Sequence, residues 1–109
     1  METPEVCEIV LTAPDEGWLT RFGDALVEDR LCAAVHRFEP IATTYRWRGE
    51  IYRKREWRAS LHTRRSLVAA IAERVVRDHP YEVPGLAVLP IVDGIPAYLA
   101  WIAAETTPL

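Results

Sequence analysis

The chain has 109 residues, of which 50% are hydrophobic, and a formal net charge of −3. A chain of this size leaves no room for a second independent core, so one domain over residues 1–109 is expected. The negative charge excludes a global positive field that would attract nucleic acid. No apolar run approaches the roughly 20 residues of a membrane helix, and the acidic N-terminus lacks the basic region of a signal peptide. These features predict a folded cytoplasmic protein with no nucleic-acid or membrane partner.

Strand and helix patterns follow one another in the first half of the chain. Apolar and β-branched residues over 5–12 predict a buried strand, and Asp15 is placed to cap the helix that follows. Two further strand patterns cover 31–38 and 41–48. Pro40 lies between them and predicts an edge strand or a bulge, because proline cannot donate a hydrogen bond within a sheet.

A long β-hairpin is predicted in the middle of the chain. The strand pattern of 41–48 is followed by Gly49 and by a second strand pattern over 51–63, as expected for two antiparallel strands joined by a short turn. The hairpin extends beyond any helix available to cover it, and it carries four aromatic side chains: Tyr45, Trp47, Tyr52 and Trp57. Aromatic surface of this kind is typical of interfaces, so self-association is expected.

Helix and strand patterns alternate again towards the C-terminus. Ser66 is placed to cap a helix over 67–78, a last strand is predicted over 86–92, and Pro96 begins a terminal helix. The resulting βαββαβ order with a C-terminal helix predicts an α+β fold of the ferredoxin-like, split βαβ type. Such a fold has one antiparallel sheet with two helices on one of its faces.

Five segments of the sequence resemble the successive signatures of the CutA family of divalent-cation tolerance proteins. They are LTAPD at 11–15, LCAAV at 31–35, YRWRGE at 45–50, HPYEVP at 79–84 and PAYLAWI at 96–102. The resemblance implies a homotrimer built by edge-to-edge association of sheets, a link to tolerance of copper or other divalent ions, and no agreed enzymatic reaction. The chain also lacks a nucleophile elbow, a phosphate loop and a zinc-protease helix. We therefore expect a protein that is not an enzyme and has no obligatory cofactor.

Three positions depart from the pattern of that family. Ala34 stands where the family usually has a cysteine, His36 where it often has an asparagine, and His62 where it has a lysine before Thr63. Cys32 lies two residues before the missing cysteine, so its thiol need not point in the same direction. A thiolate copper site of the family therefore does not transfer simply to this chain.

His36, His62 and Cys32 are the candidate ligands for copper or another divalent metal, because such metals prefer imidazole and thiolate. Cys32 and His36 are separated by about 13 Å if both lie in one extended strand, too far to share one ion. A two- or three-residue turn around Gly49 would make His36 and His62 near neighbours on adjacent strands, and a bulge at Pro40 would shift that register by one residue. Two histidines alone make an open site, and ordinary surface polar residues remain the alternative interpretation.

A small-ligand site is the second hypothesis. Tyr81 and Glu82 follow the second predicted helix, in a loop of the kind that often carries binding groups. They could bind a small anion or metabolite in a trimer that resembles the PII signalling proteins in architecture. A packed aromatic with a hydrogen-bonded hydroxyl is an equal interpretation of Tyr81. Cys7 and Cys32 are expected to be reduced, with Cys32 the more accessible thiol.

Overall fold

Residues 5–106, which the computed structural model describes, form five β-strands, three α-helices and one 3₁₀ turn. In chain order they are β1 (Val6–Ala13), α1 (Glu16–Glu28), β2 (Ala34–Arg37), β3 (Ile41–Trp47), β4 (Glu50–Arg64), the 3₁₀ turn (Arg65–Leu67), α2 (Val68–Asp78), β5 (Leu86–Pro90) and α3 (Pro96–Glu105). The predicted α+β class and the predicted order of elements are confirmed. The strand predicted over 31–38 is shorter than expected, because the chain enters it only at Ala34.

The 15-residue strand β4 organises the sheet. Its second half lies between β2 and β1, β5 pairs with the other side of β1, and β3 pairs with the first half of β4. All of these pairs are antiparallel. Because β1 pairs with β4 only from Trp57 onward, the segment 50–56 has no strand on its second side among the described residues. The hairpin of β3 and β4 therefore projects from the body of the sheet.

The main core lies between one face of the sheet and the helices α1 and α2. Alternate residues of the strands face residues of these helices across it, and the fully buried members include Ile9, Leu11, Leu61, Leu26, Ile71 and Val75. Asp15 caps α1 as predicted, since its carboxylate accepts a hydrogen bond from the backbone N–H of Trp18 at 3.2 Å. The cap predicted at Ser66 is wrong, because a 3₁₀ turn over Arg65–Leu67 leads into α2 and places Leu67 at the cap position.

Helix α3 packs on the opposite face of the sheet. Val6, Leu99 and Ile102 form a second buried cluster there, and Arg64 donates two hydrogen bonds, of 3.0 and 2.6 Å, to the carbonyl of Ala103. None of the helices within residues 5–106 has the length and apolar character needed to cross a membrane. The α3 contacts fix the position of this helix next to β1 and β4.

The turn and the bulge of the hairpin set the register of the sheet. Arg48 and Gly49 form a two-residue turn with φ values of 49° and 83°, as a type I′ turn requires. Ile41 pairs with Glu56 whereas Arg37 pairs with Ala59, so residues 38–40 form a bulge opposite 57–58. The bulge predicted at Pro40 is confirmed. His36 and His62 are near neighbours on adjacent strands, as predicted, but they are not directly opposite, because the turn at Arg48 and Gly49 and the bulge near Pro40 each shift the register by one residue.

Candidate metal and ligand sites

The predicted histidine pair lies on the face of the sheet that α1 and α2 do not cover. His62 alternates with the core residue Leu61 along β4, so its side chain points away from these helices. The ring centroids of His36 and His62 are 4.9 Å apart, with an angle of 63° between the ring planes. His36 pairs with Ser60 and His62 pairs with Ala34, which makes the two histidines diagonal neighbours. The structure thus brings together two of the three predicted metal ligands.

His62 is held between a carboxylate and a phenol. Its Nε2 lies 3.0 Å from Glu8 Oε1, and its Nδ1 lies 2.5 Å from the hydroxyl oxygen of Tyr98. Because a carboxylate only accepts, Nε2–H of the neutral imidazole donates to Glu8 and the Tyr98 hydroxyl donates to Nδ1. Burial, and next the charge of Glu8, raise the pKa of Tyr98 above its usual value. Glu8, His62 and Tyr98 belong to β1, β4 and α3, so these three elements meet at the His62 ring.

Cys32 lies apart from the histidine pair. Its side chain belongs to the main core, and only 1% of the residue is exposed. Burial, and next the neighbouring Cys7, raise the pKa of the Cys32 thiol to about 12, which disfavours the thiolate that metals bind. Such a thiol does not fit the predicted role of a metal ligand. The expectation that Cys32 is more accessible than Cys7 is wrong, because the chain before β2 turns into the core and both thiols are buried there.

A cavity of about 360 Å³ lies between the hairpin and the loop that follows α2. Its lining includes both predicted ligand-binding residues, Tyr81 and Glu82. Further lining side chains come from β1, the hairpin and the loop: Thr12, Thr43, Tyr45, Trp47, Glu56 and Val83. The Oγ1 atom of Thr43 is buried and has no hydrogen-bond partner within residues 5–106. An unpaired buried hydroxyl at the wall of a cavity offers a polar anchor for a bound molecule.

Tyr81 connects the loop after α2 to the hairpin. Its hydroxyl donates to Glu56 Oε2 at 3.0 Å and accepts from Lys54 Nζ at 3.0 Å. Glu56 is only 5% exposed, so this hydrogen bond satisfies a buried carboxylate. Burial raises the pKa of Tyr81, and the hydrogen bond from Lys54 opposes that rise. The hydrogen bond to Tyr81 is also the main cause that raises the pKa of Lys54. Tyr81 thus has the hydrogen-bonded hydroxyl of a packed aromatic and also lines the cavity.

His79 fixes the start of the same loop. Its Nδ1 accepts a hydrogen bond from the backbone N–H of Tyr81 at 3.0 Å, so Nε2 carries the ring proton and donates to the carbonyl of Thr12 at 2.8 Å. The ring of Trp18 packs edge-on against it, with the centroids 4.8 Å apart. Because its ring is buried and both nitrogens bond the backbone, His79 holds the loop in place instead of offering a metal ligand.

Glu82 stands at the outer side of the cavity, paired with the hairpin turn. Nη2 of Arg48 donates to both of its carboxylate oxygens, at 2.9 and 2.7 Å. Both side chains are about two-thirds exposed, so solvent screens the pair and it adds little to stability. The pair still links the hairpin turn to the loop after α2.

The histidine pair would offer a divalent metal few protein ligands. Within residues 5–106, no group of three or more histidine, cysteine, aspartate or glutamate side chains is arranged to hold a metal ion. Imidazole nitrogens suit copper and zinc. A histidine that binds a metal usually donates its other ring N–H to a carboxylate, as His62 does to Glu8. His36 and Nδ1 of His62 are therefore the groups that would hold an ion.

The family model of the CutA1 divalent ion tolerance protein matches residues 7–105. The chain belongs to the CutA1 family. The divalent-cation tolerance protein CutA of Thermus thermophilus is 35% identical to it over 98 residues, which are 90% of this chain and 95% of that relative. The mouse protein CutA is 38% identical over 96 residues, or 88% of this chain, and the chain spans 54% of that relative's length.

A CutA1 crystal structure has the same fold. The structure from Oryza sativa superposes with a TM-score of 0.91 at 30% sequence identity, and the match covers 96% of each chain. The family model and the Thermus thermophilus relative are named for tolerance of divalent cations and not for a reaction. The resemblance to the CutA family is therefore confirmed.

Sequence reasoning missed the residues that surround both sites of this CutA1 chain. Glu8 and Tyr98 contact His62 from elements that are 54 and 36 residues away along the chain. Glu8 could have been noticed as the one acidic residue within the apolar strand β1. Tyr98 lies in the PAYLAWI segment that resembles the CutA family, but that segment does not indicate what the hydroxyl contacts. The role of Thr43 could not be predicted from the sequence, since a strand pattern does not indicate which hydroxyl lacks a hydrogen-bond partner.

Proposed function

We propose that this chain is a cytoplasmic homotrimer of ferredoxin-like protomers that binds copper or another divalent metal and catalyses no reaction. The observation that carries the proposal is the 4.9 Å approach of the His36 and His62 rings. The names of the family model and of the Thermus thermophilus relative, which refer to divalent-cation tolerance, support it. The metal would bind reversibly, since two imidazoles on a partly open face give moderate affinity for the ion and allow it to dissociate readily.

Free sheet edges and exposed apolar side chains support self-association. Segment 50–56 of β4 and the outer side of β5 have no strand partner among residues 5–106. Ile51 and Leu89 are about half exposed next to these edges. Sheet edges of this kind are usually covered or paired in a native assembly. Two free cysteines in the core support a reducing compartment such as the cytoplasm.

The metal proposal is tested by titration calorimetry with Cu(II) and Zn(II), with a chelator as a reversal step. Wild-type protein should bind one ion per chain, and affinity should fall in acid because protons compete with the metal for imidazole nitrogen. His36→Ala and His62→Ala should each weaken binding about as much as the double substitution, since a chelate loses most of its advantage with its first lost ligand.

The third histidine provides the matched control. His79→Gln removes an imidazole that is buried and fully hydrogen-bonded, so it should leave the metal affinity unchanged. Effects of His36→Ala and His62→Ala that simply add, or that do not differ from the effect of His79→Gln, would count against a chelating pair.

A small-ligand sensor is the second candidate, favoured by the unpaired hydroxyl of Thr43 in the cavity wall. A small anion or metabolite with a hydrogen-bonding group could satisfy Thr43 while it packs on Tyr45 and Trp47. A panel of such compounds, measured by thermal shift, should include one that stabilises wild type. Thr43→Val should abolish that shift, whereas the His36→Ala and His62→Ala double variant should keep it. A shift that survives Thr43→Val would refute this site.

A further inference from the structure

Both ring nitrogens of His62 already have partners, so a bound metal must take the place of one of them. Nε2–H donates to Glu8, and Nδ1 accepts from the Tyr98 hydroxyl at 2.5 Å. The bond to Glu8 can remain when a metal binds, because it uses the nitrogen that faces away from the ion. The contact with Tyr98 occupies the nitrogen that the metal needs.

We propose that Tyr98 is a third protein ligand of this metal and binds Cu(II) as a phenolate beside His36 and His62. The inference rests on the proposed metal-binding function of the histidine pair and adds an oxygen ligand to it. Cu(II) favours mixed nitrogen and oxygen ligands in tetragonal geometry, and a phenolate oxygen with two imidazoles matches that preference.

The distances in the cluster fit a shared ion. Two ligand atoms that bind one metal at right angles, each about 2.0 Å from it, lie about 2.8 Å apart. The Tyr98 oxygen and His62 Nδ1 are already close to that separation. His36 approaches from the neighbouring strand, with its ring 4.9 Å from that of His62. The Tyr98 oxygen and His62 Nδ1 are therefore within reach of one ion, and His36 is the neighbouring imidazole that can complete the site.

Tyr98 is held in this position by the packing of α3. Its ring stacks on Trp101, with centroids 5.7 Å apart and 25° between the planes. Leu99 and Ile102 anchor the same helix in the second buried cluster. The phenol therefore reaches His62 from a packed helix and not from a mobile loop, and the ligand is positioned before the metal arrives.

The exchange balances in protons and charge. The hydrogen bond between the Tyr98 hydroxyl and His62 Nδ1 breaks and the hydroxyl proton leaves to solvent. The phenolate oxygen, His62 Nδ1 and a ring nitrogen of His36 each form one bond to Cu(II) and each displace one of its water ligands. No electron is transferred, and the copper stays in the divalent state. A bound divalent cation favours the ionised phenol and so opposes the burial that raises the pKa of Tyr98, and the phenolate in turn offsets part of the charge of the ion.

The test is the visible absorption spectrum after Cu(II) is added to the full-length protein. A phenolate bound to Cu(II) gives a charge-transfer band that imidazole ligands alone do not give, and Zn(II) serves as the blank because it has no such transition. Wild type and Tyr52→Phe should show the band at equal intensity. Tyr98→Phe should lose the band. This variant should still bind copper through the two histidines, but more weakly than wild type. Tyr52 is the matched control, since it is an exposed tyrosine on the hairpin.

The possible outcomes separate this inference from the function on which it rests. Copper that binds through both histidines without a band in wild type overturns the role of Tyr98 and leaves the metal site intact. The absence of copper binding in wild type overturns both. A band that persists in Tyr98→Phe assigns it to another tyrosine and also overturns the inference.

A second set of variants covers the case in which Tyr98→Phe does not fold. The chain has four tyrosines, so Phe is placed in turn at each of the other three: Tyr45, Tyr52 and Tyr81. A band that is unchanged in all three belongs to Tyr98. A band that disappears in one of them contradicts the assignment.

Discussion

Cys32 shows how the burial of one side chain sets the response of the fold to alkaline pH. The pKa of its thiol rises from 9.0 to about 12, with burial as the main cause. Below 9.0 the thiol is protonated in both the folded and the unfolded states. Between pH 9.0 and about 12 the Cys32 thiol ionises in the unfolded chain but stays protonated in the folded protein, so the free energy of unfolding falls as the pH rises.

We predict that Cys32→Ala flattens this alkaline loss of stability. A single group of this kind changes the free energy of unfolding by at most about 1.4 kcal/mol per pH unit. Urea unfolding of wild type and variant, measured at a series of pH values on both sides of 9.0, gives the two slopes. The comparison uses slopes because Cys32→Ala also leaves a small cavity that lowers stability at every pH. Equal slopes for wild type and Cys32→Ala would mean that the Cys32 thiol ionises in the folded protein as readily as in the unfolded chain.

At the scale of elements, the Tyr81 hydroxyl and the exposed Arg48–Glu82 pair attach the loop after α2 to the hairpin. Tyr81 donates to the buried carboxylate of Glu56, and His79 holds the backbone of the same loop against β1. The cavity wall therefore depends on contacts between segments that are distant in the chain.

We predict that Tyr81→Phe destabilises the protein by about 1–3 kcal/mol, the usual cost of leaving a buried polar group without its partner. The ring and its packing remain, so the loss reports on the hydrogen bond to Glu56. Tyr52→Phe removes an exposed hydroxyl and should change stability by less than about 0.5 kcal/mol. Chemical denaturation of both variants measures the difference. If the two variants are equally stable, Glu56 must find another donor when Tyr81 is lost.

The elements were predictable from the sequence, whereas their contacts were not. Apolar periodicity places β1 and α1 to within a few residues, and Asp15 marks the start of that helix. Register failed because it depends on where a two-residue turn is centred and on one extra residue near Pro40. Tyr98 was missed because a contact between α3 and β4 leaves no local pattern. The histidine pair was found because the rings approach even though the register is offset.

At the scale of the whole molecule, we predict a trimer. Sedimentation equilibrium at low micromolar concentration should give about three times the protomer mass. Because association stabilises only the folded state, the thermal midpoint should rise with protein concentration and exceed the range of about 45–65 °C of ordinary mesophilic domains.

Two surface substitutions distinguish an interface from ordinary surface. Ile51→Lys places a charge beside the open edge of β4 and should shift the population towards smaller species. Val76→Lys places the same charge on the exposed side of α2 and should leave the mass unchanged. A monomeric wild type, or equal effects of the two substitutions, would contradict assembly through the hairpin.

The bulge at 38–40 has a consequence for how the length of this protein can change during evolution. Three residues there oppose two on β4, and this offset lets His36 of β2 and Thr43 of β3 share a face with Glu56 and His62. Losing or gaining one residue in the segment would turn His36 to the other side of the sheet, since the turn at Arg48 and Gly49 fixes β3 against β4 and side chains alternate along a strand. A change of two residues would restore the alternation. Relatives that differ in length at this point should therefore do so in steps of two.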